Sequence, residues 1–238
     1  MNKHFSLFIL LCLFGFYSCH ESVVNTTEST PSEKHTKDTL DRSTVEKIKK
    51  YLLSPNDSSI TVQFDEITIH LSPLVPFDKV GSFVKTTADT CFVSADVYES
   101  ILGGQLRIIS NSLTDFKIEQ AYQTSVSISN EGPHCDLLDW KHFTSNWKVL
   151  QLTKNGFYSC LNYTQKEGEI FPQVDVDELK SEVKKHCGEE MYDLVKNSSE
   201  LRQYPIGIGI SSVFIRLKGK MNGKTIIKII AVDEAMGC

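Results

Sequence analysis

The stretch ITVQFDEITIHL, residues 60–71, alternates apolar and polar side chains but changes phase halfway. Ile60, Val62 and Phe64 share one face, and Ile67, Ile69 and Leu71 join it only if the chain turns or bulges at Asp65-Glu66. Further β-prone runs lie at 90–93, 105–109, 117–129 and 147–152. Asn155-Gly156 marks a hairpin turn between two more such runs, and IGIGISS at 206–212 reads as the entry to a strand. The strongest local signal is SVFIRLKGKMNGKTIIKIIAVD, where Asn222-Gly223 between apolar runs predicts a two-residue type I′ hairpin. That turn fixes the register: Met221 opposite Lys224, Leu217 opposite Lys228, Ile215 opposite Ile230, Val213 opposite Val232. One face is then largely Val, Ile and Leu, while the other carries the basic row Arg216, Lys218, Lys220. In that setting the row would be a solvated face guarding a sheet edge, or a surface for phosphate headgroups or an acidic partner.

Helical periodicity appears in three places. DRSTVEKIKKYLL, residues 41–53, repeats Val45, Ile48 and Leu52 behind a capping Asp41 or Ser43. VDVDELKSEVKKHCG starts at Asp175 or Asp177, places Leu179 and Val183 on one face and stops at Gly188. A third helix is expected over 191–201, and a shorter one over 95–102 ended by Gly103-Gly104. Strands and helices mix without βαβ alternation, so the expected class is α+β: a mixed, mainly antiparallel sheet with about three helices and a C-terminal β-hairpin.

The N-terminus changes the picture. Lys3 and His4 precede an apolar run over 5–17, too short to span a membrane, which takes about 20 residues, but suited to a secretory signal. Neither Phe16 nor Tyr17 suits the −3 position of ordinary signal cleavage. Phe16-Tyr17-Ser18-Cys19 instead resembles a bacterial lipobox, with Phe where Leu is usual. The resemblance covers about the first 20 residues. It implies that Cys19 is lipidated and becomes the mature N-terminus, anchored in a membrane by its acyl chains. Residues 19–40 are rich in Ser, Thr, Glu and Lys and read as a disordered tether with a coil span of roughly 25 Å. Residues 1–18 are thus a signal peptide, and 41–238 a single α+β domain facing the periplasm or the cell surface.

With 25 basic and 30 acidic residues the net charge is −5, which argues against general nucleic-acid binding. Cys91, Cys135, Cys160, Cys187 and Cys238 are widely spaced without a CxxC, so no zinc ribbon is expected and the spacing assigns no pairing.

Candidate chemistry concentrates in EGPHCDLLDWKHF, residues 131–143. If the part after Gly132-Pro133 were helical, Asp136, Asp139 and Trp140 would lie three to four apart and His142 three beyond Asp139. His134, Asp139 and His142 would then be a ligand set that zinc or iron accepts, with Asp136 as base in a metal-dependent envelope hydrolase. A Cys135 nucleophile served by His134 or His142 is a poorer arrangement, since adjacent residues rarely face each other. The plainer alternative is a polar loop in which Trp140, Phe143 and Trp147 form an apolar stripe anchoring it to the core. The leading expectation is a lipid-anchored envelope protein that uses His134, Asp136, Asp139, Trp140 and His142 to bind a protein, peptide or glycan, with no cofactor required. A structural or assembly lipoprotein without a pocket is the third alternative.

Overall fold

The computed structural model describes residues 58–75, 83–97, 99–129 and 134–236. The signal, the lipobox, the tether and the helix expected over 41–53 lie outside the described residues. Twelve strands run in chain order: β1 Ile60–Phe64, β2 Ile67–Ser72, β3 Phe83–Thr86, β4 Thr90–Ser94, β5 Gln105–Ile109, β6 Leu113–Ile128, β7 Cys135–Asp136, β8 Phe143–Thr144, β9 Lys148–Val149, β10 Tyr158–Ser159, β11 Ile206–Met221 and β12 Lys224–Asp233. A four-residue helix, Gln165–Gly168, and a long one, Val176–Val195, fall between β10 and β11.

The strands form two mixed, mostly antiparallel sheets. One has the order β10-β5-β2-β1-β3; the other has β4-β12-β11-β6-β7, with β8 and β9 also pairing along β6. The Asp65-Glu66 phase change is a tight turn that pairs Phe64 with Ile67, so all six apolar residues of β1 and β2 face inward and are buried. The C-terminal hairpin has the register expected from its Asn-Gly turn at every quoted pair. Asn222 and Gly223 both adopt the positive φ that a type I′ turn requires.

The long strands β6 and β11 carry two cores on one face. Toward the hairpin turn, Ile118, Val213, Ile215 and Leu217 pack against the inward residues of β1, β2 and β5. Toward the other end, Val126, Ile128 and Ile206 pack against Leu179, Val183, Met191 and Val195 of the long helix. Between them β6 presents polar side chains that hold passing backbone. Gln120 bonds both the carbonyl and the N–H of Leu161, at 3.1 and 2.9 Å. The Tyr122 hydroxyl donates to the Glu167 carbonyl at 3.0 Å, and Thr124 donates to that of Ile170 at 2.5 Å. A bulge keeps the two cores on the same side: Ile210 pairs with Thr124 but Ser212 with Gln123, so Ser211 is the extra residue.

One buried cation ties the two sheets together. Lys228 is 6% exposed, and its stem crosses the core beside the Phe64 ring. Its ammonium reaches Asp89 at 2.9 Å in the turn after β3 and Asp65 at 3.6 Å in the turn after β1. The aliphatic stem is buried while the charge ends at partly hydrated carboxylates, which is how a lysine enters a core at tolerable cost.

Several sequence expectations are corrected. Two helices, not about three, occur among the described residues. The helix from Asp175 does not end at Gly188. Gly188 takes φ 87°, the chain kinks there, and helix resumes at once to Val195, merging two expected helices. No helix forms over the described residues 95–97 and 99–102. Their backbone donors go elsewhere: Ala95 N–H to Asp233, Asp96 N–H to Val75 and Ile101 N–H to the Glu234 carboxylate. The expected strand over 147–152 shrinks to Lys148–Val149. The basic row lies on β11, which β12 and β6 cover on its two sides, whereas β4 pairs with β12 only at Ile229–Asp233.

Candidate functional site

The stretch after Gly132-Pro133 forms no helix. Cys135 and Asp136 pair with Ile128 and Ser127 of β6, and Leu137 N–H donates to Val126 at 2.8 Å. Phe143 and Thr144 return to the same strand opposite Thr124 and Gln123. Residues 137–142 are therefore a short excursion between two contacts on one strand, and helical spacing does not apply to them. The aromatic stripe falls apart for the same reason. Trp140 packs toward Phe171 in the second core, with ring centres 6.2 Å apart. Phe143 meets Tyr122 at 6.1 Å. Trp147 lies under the Arg216 guanidinium at 3.9 Å.

Cys135 is no nucleophile. It is disulfide-bonded to Cys187, across 52 residues of chain, which fastens the loop to the long helix just before the Gly188 kink. That bond brings in His186, which no local pattern in the chain joins to this loop. Asp136, Leu137, Leu138, Asp139, Trp140 and His186 line a recess of about 150 Å³. His186 also meets Glu182 at 3.0 Å one helical turn back. His134 Nε2 stands 3.6 Å from one Asp136 carboxylate oxygen. The other, Oδ1, is shut off from solvent and has no hydrogen-bond partner. Lys141 reaches Glu178 at 2.7 Å and lies near the Trp140 ring. His142 is exposed and does not line the recess.

The recess thus gathers Asp136, Asp139 and Trp140 of the expected set, with His134 beside it and His142 apart. Among the described residues, no three or more His, Cys, Asp or Glu side chains are gathered as a metal ion would need. The helical convergence invoked for zinc or iron at His134, Asp139 and His142 is accordingly missing. What the recess offers is an aromatic wall, carboxylate acceptors and an imidazole.

Other titratable groups are occupied structurally. Burial pushes the Cys160 thiol up to about 12, so it stays protonated and a poor nucleophile. Burial likewise raises Tyr163 to about 12. Glu167 is lowered to about 2 by the Thr164 backbone N–H, then by Lys148 and the Thr164 hydroxyl, in a capping box that closes the four-residue helix. His70 accepts or donates one bond, 2.8 Å from the Thr61 hydroxyl, while its Nε2 is buried without a partner. Burial, and secondarily the charge of Arg107, lower its pKa.

Comparison with known proteins gives no match to a protein family, to a curated protein or to a solved structure. No helix among the described residues is long and apolar enough to cross a membrane.

Proposed function

We propose that this is a lipid-anchored cell-envelope protein whose folded part binds a protein, peptide or glycan at the recess beside the disulfide. The observation that carries the reading is the recess itself, where a half-buried Trp140 stands beside Asp136, whose sealed carboxylate oxygen lacks a partner. An unpaired buried acceptor costs about 1–3 kcal/mol, which marks Asp136 as kept for more than packing, while its other, partly exposed oxygen is the one that a ligand's donor can reach. Aromatic walls with nearby polar groups are the usual make-up of recognition sites, and they suit sugar rings as well as peptide side chains. The disulfide holds the loop in place before any partner arrives, which reduces the ordering cost of binding. It also agrees with an oxidising compartment outside the cytoplasm. The anchor reading rests on Phe16-Tyr17-Ser18-Cys19 and the apolar run before it. A tether would raise the local concentration of a weakly binding domain near its membrane.

The test is photo-crosslinking in cells. A photoreactive residue replaces Leu138, which is exposed on the rim of the recess. The expected result is a discrete crosslinked product that disappears when Trp140→Ala or Asp136→Asn is added. Crosslinking that is absent, or indifferent to both substitutions, would remove the recess from the protein's function. In parallel, Cys19→Ser should shift the protein from the membrane to the soluble fraction, and continued tight membrane association would reject the lipobox.

A further inference from the structure

The face of the seven-stranded sheet turned away from both cores is amphipathic, and its composition is unlike the rest of the molecule. The β11 to β6 register puts Lys218 beside Lys117, and the hairpin register puts Ile227 on its other side. One row further, Lys220 stands beside Thr225. Away from the turn the same face carries Ile229, Phe214 and Ala231, and beside Ala231 the Phe92 ring of β4, which is 72% exposed. Ile227 is exposed as well. Exposed apolar side chains next to a basic cluster are what an interfacial surface needs, one part for acyl and glycerol groups and the other for headgroups.

The charges on this face are not equally engaged. Arg216 is held by Glu119 at 2.6 Å and stacked on Trp147. Burial alone would raise the Glu119 carboxyl, but hydrogen bonds from Lys117 and Arg216 outweigh it and lower its pKa. Lys220 reaches the exposed Asp115 at 3.0 Å. Lys218 makes no ion pair among the described residues. Lys117, Lys218, Lys220 and Thr225, together with Phe116 and the carboxylate of Asp115, surround a groove of about 320 Å³ over Gly219, so three ammonium groups face one carboxylate there. A side chain at Gly219 would collide with Phe116, at 2.5 Å from its Cβ, so the chain can pass this close to Phe116 only as glycine.

We infer that this basic and apolar face docks onto an anionic lipid surface, with a headgroup phosphate seated among Lys117, Lys218 and Lys220. The chain as a whole is acidic, at −5, so attraction to an anionic membrane has to come from a local patch. A second copy of the chain is disfavoured as occupant, because a two-fold pairing would set the lysine row against itself. An acidic protein would satisfy the lysines but gives no reason for the isolated, widely spaced Phe92 and Ile227. The inference rests on the envelope reading only for the presence of a membrane nearby.

The test uses the chain from residue 19 onward with Cys19→Ser, so that no acyl chain contributes, and co-sedimentation with vesicles of phosphatidylcholine alone or mixed with phosphatidylglycerol. The unvaried chain should bind the mixed vesicles, lose binding at high salt and ignore phosphatidylcholine. Lys218→Glu with Lys220→Glu should weaken binding about thirty-fold or more, since each lysine near an anionic surface contributes about a fivefold factor. Phe92→Ser with Ile227→Ser should weaken it at low salt, where the unvaried chain binds, and binding left unchanged by that pair would remove the apolar part of the face from the inference. Lys184→Glu with Lys185→Glu on the long helix makes the same change in net charge and should leave binding unaltered. Equal loss in both lysine pairs would reduce the effect to net charge and overturn the inference. No binding by the unvaried chain would overturn it too and leave the face to an acidic protein. Because Cys19 is absent from this experiment, neither failure bears on the lipobox.

Discussion

Toward the Asn222-Gly223 turn, β6 and β11 are roofed by a sheet; toward Ile128 and Ile206, by a helix. The sheet-roofed half is built from pleated strands whose apolar residues were placed by alternation and tight turns, and it closes around aliphatic side chains and Phe64. The helix-roofed half has fewer buried side chains and relies on a covalent bond between Cys135 and Cys187 to hold loop to helix. The recess and the orphaned Asp136 oxygen lie in this second half. A dense core leaves no room for a binding cavity, whereas a stapled, thinner one holds a loop in shape while leaving polar groups at its surface.

The largest expected effect tests which half dominates stability. Phe64→Ala should cost about 4 kcal/mol and Leu179→Ala about 3 kcal/mol, read from urea unfolding midpoints at constant slope. If Leu179→Ala proves the more costly, the ranking of the two halves is wrong. Opening the disulfide, by reduction or by Cys135→Ser with Cys187→Ser, should cost about 4 kcal/mol, as the loop-closure entropy of a loop of this length gives. Hydrogen exchange should then quicken in the long helix and in residues 135–142 but not in β1 and β2. Equal quickening in β1 and β2 would mean that the halves do not open separately. The smallest effect belongs to His70 on the sheet roof. Its folded pKa lies below the unfolded value, so the unfolded chain takes up the proton first, and stability should fall as pH drops below about 6.5. His70→Gln should flatten the fall in urea midpoint between pH 7.5 and 5.5. A variant that is no flatter would show that His70 is not the titrating group.

The two halves also differed in how far they could be read from the chain. β1, β2 and the C-terminal hairpin were legible because alternation and tight turns act between near neighbours. Asn222-Gly223 determined ten residue pairs at once. β3, by contrast, went unread, and its parallel pairing with β1 depends on contacts made after the sheets meet. The helix-roofed half was legible only in fragments. Leu179 and Val183 were placed on their buried face, but nothing local joins Cys135 to Cys187 or brings His186 to Asp136. The density of His, Asp and Trp in 131–143 did point to the recess. The geometry drawn from it was wrong because β6 captures both ends of the loop before a helical turn can form.

Ser211 has a consequence for what the chain can tolerate. On its N-terminal side the interior of β11 is spelled by even positions, Ile206, Ile208 and Ile210; beyond it, by odd ones, Val213, Ile215 and Leu217. Removing this one residue would leave every side chain chemically intact, yet past that point it would exchange the meanings of inside and outside. Phe214, Arg216 and Lys218 would turn inward, and Val213, Ile215 and Leu217 would turn to water. Here the number of residues between Ile210 and Val213 is itself structural information, as binding on the fold as the identity of any side chain.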